Sequence, residues 1–233
     1  MTEQKKLLLL QLNELNFDIV KDYFNDSELP NLKKIFKDGY IQTYSETEYD
    51  LLEPWIQWVS VNTGMSAHEH GVFRLGDITK SNHKQLYEIV EESGYNVGAI
   101  IPMNTKNNLN NPSYFISDPW TRTEDSKDFL IRQLSNAISQ IVNDNAKRKI
   151  SFKNLIYLLY GLLKFVRFKN YLKMLYLALT GINHKWRWAI FLDLFLNDLH
   201  LKLVKSSRPN FSSLFLNCAA HVQHHYFFNS KKI

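Results

Sequence analysis

The stretch LLLLQLNELNFDIV, residues 7–20, decides how the chain begins to fold. It is a continuous apolar run that ends at the polar residues Asn13 and Glu14, the pattern of a parallel strand covered on both faces. We therefore predict a strand from Lys6 to Leu12. Ligand crevices in open α/β sheets lie beyond the carboxyl ends of the strands, so this strand would deliver Asn13 and Glu14 to such a crevice.

The residues that follow alternate between helix and strand patterns. Apolar residues at helical spacing predict helices over Phe17–Phe24 and Pro30–Phe36, and Gly39 supplies a stop before a short strand over Tyr40–Tyr44. A strand, a helix and a second strand in succession indicate a β-α-β unit.

Two further helices carry clear end signals. Pro54 suits the first turn of a helix that runs to Asn62, and Thr63-Gly64 provides a left-handed cap that ends it. A helix over Asn82–Ser93 is predicted to stop at Gly94, and a β-branched strand over Tyr95–Ile101 follows.

The middle of the chain changes in character. Residues 104–123, rich in Asn and Pro, predict a loop long enough to be functional, and Asp125 to Lys205 is nearly all helical in pattern. Within it, residues 155–179 mix apolar side chains with four basic ones. Because each charge at the centre of a bilayer costs roughly 2.5–3.5 kcal/mol, we predict a basic amphipathic helical hairpin rather than a membrane span. Either it packs on the core as a cap, or it makes peripheral contact with anionic membrane.

The last predicted strand, Phe211–Leu216, runs directly into a histidine cluster. His221, His224 and His225 lie within five residues of one another. Such a cluster favours contact with a metal or an anion, and a solvated polar loop is the alternative.

Together these patterns predict an α/β fold: a doubly wound, mainly parallel sheet with a helical insertion. Residues 1–124 would form the first part of the α/β core and residues 125–207 a helical insertion or cap. Residues 208–233 would return to a core strand and the histidine cluster.

Composition narrows the choice of partners. The chain has 28 basic and 23 acidic side chains, a net charge of +5, which suits an anionic small molecule, glycan or lipid-headgroup ester. No arginine-rich stripe or Cys/His finger spacing is present, so we expect no nucleic-acid partner.

The single cysteine, Cys218, excludes an intramolecular disulfide and agrees with a reducing compartment, so we expect a cytoplasmic protein. The apolar run at residues 7–10 is too short for a signal-peptide core.

The segment EPWIQWVSVNTGMSAHEHGVFRLGD, residues 53–77, carries a family resemblance. Its Trp58, Thr63-Gly64 and His70-Gly71 resemble a pattern of the alkaline phosphatase superfamily, in the type I phosphodiesterase/nucleotide pyrophosphatase branch with its sulfatase-like core. Four more segments resemble the same family in the same order, namely LLLLQLNELNFDIV, LPNLKKIFKDG, LYEIVEESGYNVGAIIPMN and RPNFSSLFLNCAAHVQHHYF.

The resemblance covers only the family's N-terminal half, since the family continues where this chain ends after its histidine cluster. The chain is then either a fragment, or a shortened relative that has lost a complete two-metal site. The resemblance implies a hydrolase or transferase of phosphate, phosphodiester or sulfate esters that uses divalent metal, zinc first and manganese or magnesium next. The alternative is a non-catalytic binding protein of the same fold whose basic helices contact anionic membrane or a partner.

The resemblance also assigns site residues, with several departures from the family. Asn13 stands where the family has its first metal-binding Asp, and Glu14 beside it would substitute as a ligand. Glu53 lies near the position of the family's nucleophilic Thr. It is a metal ligand, a carboxylate nucleophile, or only an acidic residue favourable at a helix N-terminus, and the sequence leaves these three alternatives open. Ala220 replaces another metal-binding Asp.

The remaining residues follow from the same comparison. His221 and His224 match metal-binding histidines of the family, and His225 is an extra histidine. We expect His225, and separately Asn217, to contact substrate. His68 and His70 are expected to shape a loop.

Overall fold

The computed structural model describes residues 6–24, 28–123, 126–143 and 151–226. Four strands form one fully parallel sheet in the order β1-β4-β2-β3. They are β1 (Leu7–Leu12), β2 (Val97–Ile100), β3 (Tyr114–Ile116) and β4 (Phe211–Leu216). The strands predicted at the positions of β1, β2 and β4 are confirmed. The short β3 lies inside the segment 104–123 that the sequence predicted to be a loop.

Helices cover both faces of β2 and β4, which confirms the doubly wound α/β prediction. On one face, α6 (Phe129–Asn143) and α9 (Trp186–Ser207) enclose the larger apolar core around Ile100, Leu134 and Leu199. On the other face, α5 (Leu86–Glu92) closes a smaller core around Tyr87, Ala99 and Phe211, and α3 (Pro54–Thr63) packs beside it. The carboxyl ends of the strands are thus held between two layers.

The prediction that β1 is covered on both faces is wrong. Leu7, Leu8 and Leu10 are exposed, although their strand pairs along its whole length with β4. The reason is its place at one edge of the sheet, since the helices of the described residues pack mainly over β2, β3 and β4.

The predicted strand at Tyr40–Tyr44 does not form. Helices α1 (Phe17–Asp22) and α2 (Pro30–Lys37) are present, and Gly39 ends the second with a φ of 103°. Beyond it residues 40–44 have no regular secondary structure, and Ile41 is 92% exposed. A β-prone pattern does not make a strand without a neighbouring strand to bond, so the predicted β-α-β unit is absent here.

Local capping sets the other boundaries. Helix α3 ends at Gly64, which has a φ of 72°, as its sequence predicts. Helix α5 begins four residues later than predicted, because Gln85 and Glu88 form a reciprocal capping box. A one-turn helix, α4 (Ala67–His70), follows α3, and the histidine cluster lies on α10 (Cys218–Tyr226) rather than on a polar loop.

The described parts of the predicted insertion, residues 126–143 and 151–207, are mainly helical, which fits the predicted fold class. Its predicted first residue, Asp125, lies outside the described residues, as do residues 144–150 and the outer ends of the two core segments, 1–5 and 227–233. Its remaining helices are α7 (Phe152–Phe165) and α8 (Tyr171–Thr180). They do not form the predicted hairpin, because α7 packs on α6 and α8 on α9. In the part of the chain that the structure describes, no helix is long and apolar enough to span a bilayer.

His200 of α9 is buried against β3. Its ring meets that of Tyr114 edge to face at 6.1 Å, and its Nε2 has no hydrogen-bond partner among the described residues. Desolvation lowers the pKa of His200 from 6.5 to about 4. The core is therefore built around a neutral imidazole.

This burial predicts a loss of stability in acid. Because the folded-state pKa lies below the unfolded value, the stability that neutral His200 contributes is complete above pH 6.5 and is lost as the pH falls toward 4. Between pH 7 and pH 5 the loss should be about 2 kcal/mol. Urea unfolding at both pH values should show the free energy falling less in His200→Leu than in the wild type. The change His184→Leu, at an exposed histidine, should leave the fall in unfolding free energy between pH 7 and pH 5 as it is in the wild type. An equal fall in all three proteins would contradict the role of His200.

Candidate functional site

Several residues predicted to form a site at the carboxyl edge of the sheet lie where β1 and β4 end. Their parallel register pairs Leu12 with Leu216, and the Asn13 amide N–H continues the ladder to the Leu216 carbonyl at 3.0 Å. Asn13 and Asn217 therefore stand side by side. The Asn13 Nδ2 donates to the Asn217 Oδ1 at 2.8 Å.

The carboxamide of Asn13 is the fixed point of the site. It is only 3% exposed, and the Trp58 indole Nε1 donates to its Oδ1 at 2.7 Å, which fixes the orientation of the amide because an indole can only donate. Its Nδ2 then faces Asn217 and the Glu14 Oε1, at 2.8 and 3.4 Å. The Trp58 ring packs edge to face on Phe215 of β4, with centroids 5.4 Å apart. Helix α3 is thereby attached to the strand tips.

Glu14 occupies a backbone conformation that non-glycine residues seldom adopt. Its φ is 51°, in the left-handed region, which turns the chain sharply after Asn13. Gln223 of α10 holds this turn, because its Nε2 donates to the Glu14 carbonyl and its Oε1 accepts from the Asn16 amide at 3.1 Å. The turn points the Glu14 side chain at α10.

Glu14 and His224 make a short polar contact in the site. The Glu14 Oε2 lies 2.6 Å from the His224 Nε2, although 210 residues separate them in sequence. One helical turn earlier, the His221 Nε2 lies 3.5 Å from the Asn217 Nδ2. Partial desolvation lowers the pKa of His221, and His224 acts in the same direction while Glu14 opposes it. A neutral imidazole is the form that can accept a proton or bind a metal.

A buried carboxylate places α10. The Asp193 Oδ2 accepts the amide hydrogens of Asn217 and Cys218 at 2.9 and 2.7 Å, so α9 caps the start of α10. Burial raises the pKa of Asp193, and burial together with Asp193 raises the pKa of the Cys218 thiol to about 12. Cys218 is thus a protonated thiol and not a nucleophile.

The structure gathers five of the seven predicted site residues: Asn13, Glu14, Asn217, His221 and His224. The other two stay apart from this contact network. Glu53 is exposed at the N-cap of α3, makes no capping hydrogen bond, and shares no described contact with Glu14 or His224. His225 is exposed, with its ring beside that of Tyr226. Ala220, where the resemblance expects a carboxylate, is buried in α10.

The donor set is incomplete as a metal centre in the present arrangement. Over residues 6–226, apart from the three internal gaps, no group of three or more His, Cys, Asp or Glu side chains is placed to hold an ion. Glu14 and His224 supply two adjacent donors, and His221 would have to turn toward them to supply a third. Asn13 has both ends of its amide engaged with protein groups, so its present role is to position Glu14 and Asn217.

Sequence reasoning missed two residues that build the site, Asp193 and Gln223. Asp193 had a signal: it is the one acidic residue in the apolar stretch AIFLDLFL, residues 189–196, and a carboxylate on the inner face of a helix needs buried partners. Gln223 had none, because its role depends on the position of α10 against the turn at Glu14.

His70 is structural, as the sequence analysis expects. It is buried, its Nδ1 accepts the Val72 amide hydrogen at 3.0 Å, and so its proton is on Nε2, which faces the Ser60 Oγ at 3.1 Å. In that tautomer the imidazole donates to Ser60 and is not placed to remove its proton. His68 is exposed and pairs with Glu48 at 3.0 Å.

We compared the chain with models of protein families, with characterised proteins and with solved structures, and none of the three comparisons found a match.

The network around Asn13 predicts the effect of a single-atom change. In Asn13→Asp a carboxylate oxygen replaces the Nδ2 donor, so it faces the Asn217 Oδ1 and the Glu14 carboxylate without a hydrogen to share. We expect a loss of about 1–3 kcal/mol in the free energy of unfolding in metal-free buffer, measured by urea denaturation. The exposed Asn183→Asp makes the same change in charge and should lose less than about 0.5 kcal/mol. Equal stabilities of the two variants would contradict the network.

Proposed function

We propose that this chain is a metal-dependent hydrolase or transferase of phosphate, phosphodiester or sulfate esters. The observation that carries the proposal is the 2.6 Å contact between the Glu14 carboxylate and the His224 imidazole at the carboxyl edge of a parallel sheet. This edge is where open α/β sheets bind ligands. The resemblance of five chain segments to the alkaline phosphatase superfamily supports the same assignment.

The donor chemistry fits a divalent metal. A carboxylate with one or two imidazoles is the mixed oxygen and nitrogen set that zinc prefers, and the carboxamide oxygens nearby would shift the preference toward manganese or magnesium. His221 supports this choice, because its lowered pKa keeps the ring neutral near pH 7. A bound ion would supply positive charge to stabilise the oxygens of a phosphoryl or sulfuryl group.

The side chains of the site divide into positioning and binding groups. Asn13 holds Glu14 and Asn217, and Gln223 holds the turn that aims Glu14. Asn217 and His225 would contact the anionic ester. Glu53 is the proposed catalytic carboxylate, and it would act after approach to a bound ester or ion, since it is exposed at the start of α3.

The proposed compartment is the cytoplasm. Cys218 is the single cysteine of the sequence, so it has no partner for an intramolecular disulfide, which agrees with a reducing environment.

Metal binding is the first test. Purified protein should bind close to one zinc or manganese ion by elemental analysis and calorimetry. Glu14→Ala and His224→Ala should each weaken binding by about tenfold or more, because each removes one of two adjacent donors. The exposed variants Glu28→Ala and His184→Ala are matched controls and should bind as the wild type does. Failure of the wild type to bind either ion would overturn the metal assignment.

The Asn13→Asp variant sharpens this test. If an ion sits beside Glu14, the introduced carboxylate gains a positive partner, and excess zinc should raise the melting temperature of this variant more than that of the wild type. An equal shift in both proteins would place the ion elsewhere.

Catalysis is the second test. Metal-loaded protein should hydrolyse an aryl phosphate, an aryl phosphodiester or an aryl sulfate, and Glu53→Gln should lower kcat by about a hundredfold while leaving metal affinity unchanged. Turnover that is unaffected by Glu53→Gln would leave Glu53 a helix-end residue only. Metal binding with no turnover of any of the three esters would assign the chain to the alternative class, a binding protein with the same fold.

A further inference from the structure

The helical insertion carries apolar residues on its outer surface as well as its inner one. On α7 the exposed residues Phe152, Leu155, Ile156, Leu159, Tyr160 and Leu163 recur every three or four positions. On α8 the exposed set is Leu172, Leu175, Tyr176 and Leu179. Each set lies along one face of its helix, while Phe165, Met174 and Leu177 are buried against the core. A solvent-facing helix side normally carries polar residues, so these two stripes need a partner.

The exposure is greatest where α7 turns into α8. Leu163 is 73% exposed, Phe168 90% and Leu172 83%. Each is followed directly by a lysine, namely Lys164, Lys169 and Lys173, and all three lysines are exposed. We call residues 163–173 the corner.

The corner is held rigidly. The carboxylate of Asp198, buried in α9, accepts hydrogen bonds from the Arg167 amide at 2.9 Å, the Arg167 Nε at 2.7 Å and the Asn170 Nδ2 at 2.7 Å. A buried charge with this many partners fixes the backbone on both sides of Phe168. The exposed ring of Phe168 is therefore a built feature of the corner.

All the charged side chains in residues 145–192 are basic. Residues 145–192 contain ten Lys and Arg side chains and no Asp or Glu, whereas the rest of the chain has 18 basic and 23 acidic side chains, a net charge of −5. Seven of the ten basic residues lie in the described range 151–192. The basic charge of the chain is thus concentrated on the insertion that also carries the exposed apolar stripes.

We propose that the corner docks on the surface of an anionic lipid bilayer, with Leu163, Phe168 and Leu172 entering the headgroup boundary and the three lysines contacting lipid phosphates. Apolar side chains interleaved with lysines suit this surface, because a long lysine stem lies in apolar surroundings while its ammonium stays at the headgroups. The core of a protein–protein interface is instead depleted in lysine. The inference is independent of the proposed function, since it rests on other residues.

The experiment is vesicle co-sedimentation of the full chain. Vesicles of phosphatidylcholine mixed with phosphatidylglycerol should carry the protein into the pellet, and vesicles of phosphatidylcholine alone should not. Binding should fall when salt rises from about 0.1 M to about 1 M, since the Debye length shortens from about 10 Å to about 3 Å. No binding to the anionic vesicles at low salt would overturn the proposal.

Two matched pairs of variants locate the surface. Phe168→Ala/Leu172→Ala should lower the binding constant by about tenfold, while Ile41→Ala/Tyr44→Ala, equally exposed elsewhere, should leave it unchanged. The triple change of Lys164, Lys169 and Lys173 to Gln should cost about tenfold or more, and the same change at the exposed Lys34, Lys37 and Lys202 clearly less. If corner and control variants bind equally, the corner is not the docking surface.

Self-association is the competing occupant. Analytical ultracentrifugation of wild type and Phe168→Ala/Leu172→Ala separates it from membrane docking. A monomeric wild type that binds anionic vesicles supports the proposal. A dimer that dissociates in the corner variant, together with no vesicle binding, would assign the surface to a second copy of the chain.

Discussion

The parallel pairing of β1 with β4 is the constraint on which the rest of the candidate site depends. It joins residues 7–12 to residues 211–216, in a register that leaves Asn13 and Asn217 side by side at the point where both strands end. The turn at Glu14 and the start of α10 are then fixed relative to each other. A register shifted by one residue would turn every side chain of β1 to the opposite face and would remove the contact of Glu14 with His224. The long-range hydrogen bonds of Trp58 and Asp193 attach α3 and α9 to this same edge.

The fold class and several elements could be predicted because their signals are local. The strand at Phe211–Leu216 has a run of apolar residues, and α3 has a proline at its start and a glycine in the left-handed region at its end. The strand predicted at Tyr40–Tyr44 failed for the opposite reason. Its alternation of aromatic and β-branched residues states a preference for extended backbone, but a strand also needs a partner, which no local pattern specifies.

The candidate site was predictable in part. The strand pattern directed residues 13 and 14 to a crevice at the sheet edge, and the family resemblance assigned Glu14 and His224 to one metal site. The structure brings five of the seven predicted side chains together. The roles within the cluster could not be read from sequence. The Asn13 carboxamide is hydrogen-bonded to Trp58 and Asn217, and the first of these bonds depends on the packing of α3 beside the end of β1, which no local sequence pattern specifies. Asp193 and Gln223 bond to backbone groups that are 24 and 209 residues away in the sequence. Sequence alone does not predict side-chain contacts at such separations.

The basic insertion and the helix that carries the site histidines are in direct contact. Trp186, at the start of α9, packs edge to face on Tyr226 of α10 with centroids 5.4 Å apart, while Arg187 lies over the Tyr176 ring of α8 at 5.4 Å. The helix that carries His221 and His224 therefore packs against the start of α9, which in turn contacts α8. The proposed function and the proposed docking surface, taken together, favour an ester within an anionic lipid headgroup as substrate, because negative charge would suit the lysines of the corner and an ester group would suit the proposed metal site at Glu14 and His224.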